Sequence, residues 1–304
     1  MQNTISVLMP TYNDEIYLAE AIESVLNQTY PYFEFIIFDD GSTDSTRSIL
    51  DGYRSRDKRI KVITSRFNHG RGEARNHLLR IGKTAGLIAI MDSDDIAMPD
   101  RFEKQIRFLN ENPDISILGT QVLNIDNNRR PTQYQTKLPL THGLLAWSLL
   151  YSVPFCNPSV MLRSNIIDKV GEYKSDSAVE DADYWSRAVF HGRFANLPDI
   201  LLQYRMPEAR LMRRMQDWDI PLRQVNSEFI EHLTGISVDI NVINIIRLSM
   251  YQSLESKIPE NSQSEIILLL HKILHTMVQK KMLLNDDTHE IMSPMLYQLQ
   301  SLTS

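Results

Sequence analysis

The first hundred residues alternate between short, predominantly apolar runs and stretches whose apolar residues recur every three or four positions. Ile5 to Met9 is the first run and stops at Pro10; Leu18, Ala21, Ile22, Val25 and Leu26 then fall at helical spacing. Phe33 to Phe38 and Ile60 to Thr64 are further runs, followed by helical patterns through Ile49, Leu50 and Tyr53 and through Leu78, Leu79 and Ile81. The run Gly86 to Met91 leads into Asp92, Asp94 and Asp95, and Pro99 then opens a helix with Phe102, Ile106 and Leu109 on one face. A run apolar at every position fits a strand covered on both faces. Repeated strand–helix units of this length predict an α/β fold with a mostly parallel central sheet and right-handed crossovers.

From Asn112 the pattern loosens. Strands are predicted over Ile115–Ile125, Ser159–Leu162, Phe194–Leu197 and Ile200–Tyr204, and helices over Leu144–Tyr151 and Glu180–His191. After Arg205 the remaining patterns are helical, notably Val238–Leu254 and Ile266–Met282. The division expected is a domain over 1–207, made of halves 1–111 and 112–207, with a helical extension over 208–304. The stripe Ile266, Leu269, Leu270, Ile273, Leu274 and Met277 reads as a packing face first; a dimer contact or a membrane-surface contact are the alternatives.

Composition narrows the function. A hydrophobic share of 42% and a charged share of 23% are ordinary globular values. A formal net charge of −6 argues against nucleic acid as the main partner, since phosphate binding favours a basic field. With Cys156 the only cysteine, no disulfide forms within the chain and a reducing compartment is expected. No secretory signal pattern opens the sequence and no apolar run is long enough to span a bilayer. The expected location is the cytoplasm, with peripheral contact at the inner membrane face and homo-oligomerisation left open.

Polar clusters recur after successive predicted strands: Pro10-Thr11-Tyr12-Asn13, Asp39-Asp40-Gly41-Ser42, Asn68 to Asn76, and Asp92-Ser93-Asp94-Asp95. In a parallel sheet all four share the carboxyl edge, where ligands bind. Together they suit a nucleotide. Tyr12 can stack on a base, and a carboxylate after the second strand can accept the imide N–H of uracil. Arg71 or Arg75 can meet a ring carbonyl or phosphate, and Asp92 the ribose hydroxyls. Three acids in four positions repel one another unless a hard cation separates them, which suits Asp94 as ligand of a Mn2+ or Mg2+ bridging a diphosphate. The plain alternatives are turn residues at Thr11 and Asn13, helix caps at Ser42 and Asp44, an acidic cap ahead of Pro99, and a surface position for Arg75.

These motifs resemble glycosyltransferase family 2, inverting enzymes with the GT-A fold. The resemblance rests on Val7 to Asn13, Phe38 to Asp44, Asn68-His69-Gly70 with Ala74-Arg75-Asn76, and Met91 to Asp95. It continues through Asn157-Pro158-Ser159-Val160-Met161-Leu162-Arg163, Glu180 to Trp185, and His191-Gly192 to Tyr204-Arg205. It spans roughly the first two thirds of the chain. It implies that Thr11, Tyr12 and Asp40 contact a uridine, that Asp92 lies near the ribose, that Asp94 is the DxD metal ligand and that Asp181, flanked by Glu180, is the general base. Without the upstream clusters, Glu180 and Asp181 read simply as helix N-terminal acids.

The sequence departs from the family in two places: Pro207 stands where many relatives have His two positions after Tyr-Arg, and Asn157 stands where relatives often have His. A rebuilt lid over the diphosphate is therefore expected from Arg210, Arg213 or Arg214, against the plainer reading of a solvated basic helix face. The function expected is transfer of a sugar from a nucleotide donor, most simply a UDP-sugar, to a hydroxyl of a saccharide or lipid-linked saccharide in cell-surface polysaccharide assembly. The rivals are a nucleotide-sugar-binding protein without turnover and a sugar-phosphate nucleotidyltransferase. The latter calls for a glycine-rich basic loop where Pro10-Thr11-Tyr12-Asn13 stands.

Overall fold

The computed structural model describes residues 4–135, 137–250, 260–283 and 291. Its strands are β1 (Ile5–Thr11), β2 (Phe33–Asp39), β3 (Ile60–Thr64), β4 (Leu87–Ile90), β5 (Ile96–Ala97), β6 (Ile115–Ile125), β7 (Met161–Arg163) and β8 (Arg193–Arg205). They form one sheet in the order β3-β2-β1-β4-β7-β6-β8-β5. The first four are mutually parallel, as the alternating strand and helix patterns require. β7 then runs antiparallel to both β4 and β6, while β6 and β8 pair parallel.

Two layers of helices cover the sheet, and the pleat of β1 shows why. Ile5, Val7 and Met9 face one side, against α1 (Leu18–Leu26) and α4 (Arg101–Glu111) through Leu18, Ile22, Phe102 and Ile106. Leu8 faces the other, against Leu78 and Leu79 of α3 (Arg71–Gly82). That second cluster continues through Tyr184 and Trp185 of α7 (Glu180–Ala188) into the C-terminal helices α8 (Glu208–Thr234), α9 (Ile240–Met250) and α10 (Glu260–Gln279). Ile266, Leu270, Ile273, Leu274 and Met277 are all buried there. Among the described residues no helix is long and apolar enough to cross a membrane.

Several boundaries differ from the sequence reading. The two expected strands at 194–204 are one strand, β8, whose pairing with β6 slips near Thr120 and Gln121. The segment expected as a strand from Ser159 begins as a 3-10 turn, Asn157–Ser159, before β7. β5, two residues long, gave no pattern to read. α8 falls within the expected helical extension over 208–304, but Pro221 inside it interrupts the pattern that would mark its span. Residues 251–254 of the helix expected over Val238–Leu254 lie outside the described residues.

Buried polar side chains of α4 lock the centre of the sheet. The Arg101 guanidinium, wholly inaccessible, donates to Ile90 O at 2.9 Å and Val160 O at 3.4 Å. Gln105 donates to Ser159 O at 2.9 Å and Leu118 O at 3.2 Å. These bonds satisfy carbonyls where β4, β6 and the 157–160 segment converge. Burial pulls the Arg101 pKa down to about 10.

At the far edge, the turn after β2 depends on a glycine. Gly41 has φ +80°, and a Cβ there would stand 2.7 Å from the Phe67 carbonyl carbon. Gly41→Ala is therefore expected to destabilise the fold by about 1–3 kcal/mol, through backbone strain and displacement of the 65–70 loop. Urea unfolding reads this; an unchanged midpoint contradicts it.

Candidate active site

The carboxyl ends of β1, β2 and β4 open onto a cleft of about 280 Å³. Pro10, Thr11, Tyr12, Asp40, Asn68, Arg71, Asp92, Ser93 and Asp94 line it, joined by Asp14 and by Arg210 from α8. Tyr12 is the exposed aromatic of the group, at 44%. Asp40 is buried and held by the loop opposite: its carboxylate accepts the backbone N–H of His69 at 3.0 and 3.1 Å and of Gly70 at 3.0 Å, with His69 Nδ1 at 3.0 Å. These contacts fall on both carboxylate oxygens and fix the group at the cleft wall. Asn13, with φ 54°, turns the β1 loop and accepts from Thr43 N at 2.8 Å, fastening the first two clusters together.

Asp14 escaped the sequence reading because it follows the cluster by one residue. Its carboxylate accepts from Ser93 Oγ, and burial raises its pKa despite that bond. Ser93 is thereby fixed between the β1 and β4 ends.

A charge chain runs from α7 through α3 to the end of β4. Arg75, buried, donates to Asp92 at 3.0 and 3.3 Å and to Glu180. Arg71 grips the same glutamate, Nη2 to Oε2 at 2.9 Å, and Ala178 O at 3.1 Å. Carboxylates on both sides push the Arg75 pKa up despite the opposing effect of burial. Glu180, 1% exposed, lines neither this cleft nor the next. Paired as it is with two guanidinium groups, it fits the expected catalytic role poorly and serves instead to position Arg71 and Arg75. Arg75 is likewise no surface residue, and of the two arginines only Arg71 reaches the first cleft.

Asp181 lies on a second cleft, of about 320 Å³, whose wall also contains Arg71, Arg75 and Asp92. The two clefts thus adjoin across Arg71 and Asp92. The second is largely apolar: Val122, Leu138, Val153, Phe155, Met206, Leu211 and Trp218 contribute. Asn157 stands at its wall, 4% exposed, with neither Oδ1 nor Nδ2 hydrogen-bonded among the described residues. Leaving a buried amide unpaired costs about 1–3 kcal/mol, which marks it as a ligand-facing candidate. Trp218 sits in α8, within the expected helical extension, but no motif singled it out.

The three acids after β4 have separate fates. Asp92 pairs with Arg75; Asp94 faces the first cleft; Asp95 is wholly buried and accepts Arg205 N at 2.8 Å. Burial, then the charges of Asp94 and Asp92, lift the Asp95 pKa well above the carboxylate range. Arg205, also buried, donates to Asp94 O at 2.8 Å and Glu20 at 2.7 Å and lies 4.2 Å over the Tyr17 ring, so β8 closes onto the acidic turn. Of the three residues expected to rebuild the lid, Arg210 donates to the Asp94 carboxylate, Arg213 is exposed, and the Arg214 side chain is outside those described.

Among the described residues no group of three or more His, Cys, Asp or Glu side chains is placed to share a metal ion. A lone carboxylate at Asp94 still fits Mg2+ or Mn2+ chemistry, because such ions commonly take one or two protein carboxylates and draw other oxygens from substrate phosphates and water.

Two predictions follow from the buried charges. Glu180→Gln strips two guanidinium groups of their shared partner and is expected to cost about 3 kcal/mol in urea unfolding, whereas Asp181→Asn stays within about 1 kcal/mol. Equal effects would contradict the positioning role. For Asp95, the folded state holds the proton more tightly than the unfolded chain, so its contribution to stability is full below the ordinary carboxylate range and is lost as pH rises through the elevated folded value. Asp95→Asn is expected to match the wild type near about pH 4 and exceed it near about pH 7.5. Parallel unfolding curves across that range would refute this.

Residues 6–220 match the glycosyl transferase family 2 domain. A UDP-Gal:alpha-D-GlcNAc-diphosphoundecaprenol beta-1,3-galactosyltransferase of Escherichia coli is 32% identical over 213 residues, covering 69% of this chain and 76% of that protein. The structure of S. aureus TarS 1-349 in complex with UDP-GlcNAc superposes with a TM-score of 0.63 at 21% identity, over 90% of this chain and 81% of that one. The mannosyltransferase PcManGT of Pyrobaculum calidifontis, in complex with GDP-Man and Mn2+, does so with a TM-score of 0.60 at 16% identity, over 98% and 81%. Both share the mixed, mostly parallel sheet flanked by helices. The chain belongs to glycosyltransferase family 2.

Proposed function

We propose that this glycosyltransferase moves a sugar from a UDP-sugar to a hydroxyl of a saccharide or lipid-linked saccharide acceptor, with inversion and with help from a divalent cation, in cell-surface polysaccharide assembly. The observation that carries the reading is the adjacency of the two clefts: Asp94 faces one, Asp181 the other, and Arg71 and Asp92 stand at both. The UDP-sugar complex of one structural neighbour, the UDP-Gal donor and lipid-diphosphate-linked acceptor named for the E. coli relative, and the Mn2+ of the other neighbour support donor, acceptor and cation respectively.

In this reading, the first cleft takes the nucleotide. Tyr12 stacks on the base, Thr11 and Pro10 line its edge, and Asp40, which lines the cleft, accepts its imide N–H. Asp92, oriented by Arg75, accepts from the ribose, and Ser93 holds the turn. Arg71 spans both clefts and meets the phosphate next to the reacting carbon. A Mg2+ or Mn2+ on Asp94, when bound, supplies charge neutralisation for the departing diphosphate.

The second cleft takes the acceptor. Asp181 removes the proton of the attacking hydroxyl as general base. A single base opposite the leaving group allows one in-line displacement and hence inversion at the anomeric carbon, as in inverting hydrolases. The apolar walls exclude water that would compete with the acceptor. We take 1–207 as the catalytic unit and 208–304 as an extension, one that nevertheless supplies Arg210 and Trp218 to the clefts.

Asp181→Asn tests this. With a panel of UDP-sugars, Mn2+ and saccharide acceptors, UDP release is expected to fall by roughly 10²–10⁴-fold while UDP affinity stays within about twofold. Wild-type protein that binds UDP tightly but turns over no donor would favour a binding module. Undiminished turnover in the variant would remove Asp181 from the mechanism.

A further inference from the structure

Arg210 is the cation at the first cleft whose partner is a residue expected to serve the donor. Its guanidinium donates to the Asp94 carboxylate and, at 3.2 Å, to Arg205 O. The geometry follows from Pro207. That residue is the N-cap of α8, its carbonyl accepting Arg210 N at 2.9 Å and Leu211 N at 3.0 Å, so the chain enters a helix one residue after it. Arg210 falls in the first turn of that helix, where the macrodipole disfavours a cation. The Asp94 carboxylate offsets this. Arg210 is 40% exposed at its side chain and lines the cleft, so it is free to swing without unpacking the core.

The other acids at this site are committed elsewhere: Asp92 to Arg75, Asp14 to Ser93, Asp40 to the His69 and Gly70 backbone, and Asp95 to the Arg205 backbone. Asp94 is thus the carboxylate most available to a cation, and Arg210 covers it.

We propose that Arg210 is an exchangeable counter-ion: paired with Asp94 while the donor is absent, and transferred to the donor diphosphate when a divalent cation and the nucleotide arrive together. This rests on the first cleft being the donor site. Two effects of opposite sign follow. Arg210 competes with a bare divalent cation for Asp94, because guanidinium and metal need the same oxygens. It also adds a charge-assisted contact to a bound diphosphate. The position therefore discourages binding of the ion alone and favours the ion and nucleotide as a pair.

Calorimetric titrations of the full chain and of Arg210→Ala test the exchange, using MnCl2 alone and then UDP at saturating Mn2+. The variant is expected to bind Mn2+ alone about tenfold more tightly and UDP about tenfold more weakly. Asp94→Asn gives an independent reading: with Arg210 released and the opposing carboxylate neutral, UDP affinity in EDTA is expected to rise. Melting curves of all three proteins verify that α8 stays folded, and Arg210→Lys, which keeps the charge, is expected to fall between wild type and alanine. The proposal is overturned if Arg210→Ala leaves either affinity unchanged, moves both in the same direction, or if Asp94→Asn lowers UDP affinity in EDTA. A wild-type chain that binds no UDP with Mn2+ overturns the donor-site reading and the exchange with it. Normal wild-type binding with an indifferent Arg210→Ala overturns the exchange alone.

Discussion

The site depends on one buried contact: the Arg75 guanidinium held between Asp92 and Glu180. Asp92 lies in the turn after β4, and Glu180 begins α7, more than eighty residues later in the chain. A carboxylate and a guanidinium removed from water, as Glu180 and Arg75 are, are costly unless they pair, and once paired they resist separation. That resistance fixes the distance between the β4 turn and the start of α7. Asp181, adjacent to Glu180, inherits its position from this chain of charges. Arg71 adds a second grip on Glu180 and reaches outward, so the boundary between the two clefts is itself built from the linkage.

Around this centre the polar interior serves to hold backbone in place. Arg101 and Gln105 tie carbonyls of β4, β6 and the 157–160 segment, while Arg205 joins β8 to the acidic turn. Such groups contribute little net stability compared with apolar residues of the same size, but they define position, which reactions between two bound substrates require. Asn157, at the wall of the second cleft, differs. Its neighbours' carbonyls are satisfied and its own amide is not. The same segment is thus rigid in backbone and unsatisfied in side chain, a combination suited to a preorganised contact with a sugar.

Much of this was readable from sequence for a simple reason. β1, β2 and β4 are buried on both faces, so their runs are almost wholly apolar and their ends sharp; the clusters at 10–13, 39–42 and 92–95 stood out as the polar residues terminating them. Where burial is one-sided or the element short, the signal faded: β5 has two residues, and the 3-10 turn at 157–159 hid inside an apolar stretch. α8 carried Trp218 and Arg210 to the clefts under a pattern interrupted by Pro221. Asp14 lay one residue beyond a cluster whose limit the strand pattern could not set.

Sequence alone determined the order of strands and helices, the edge of the sheet that collects polar residues, and the family whose motifs those residues compose, because each is a local property of spacing and side-chain type. Only the tertiary structure decided which of those residues line a cleft. Glu180 and Asp181 are adjacent acids that spacing alone does not separate, yet a helix turns successive side chains by about 100°, sending one into a pair of arginines and the other to a cleft. Asp92, Asp94 and Asp95 divide likewise, since the partner each finds—Arg75, Arg210 or the Arg205 backbone—comes from a distant part of the chain that only folding brings near.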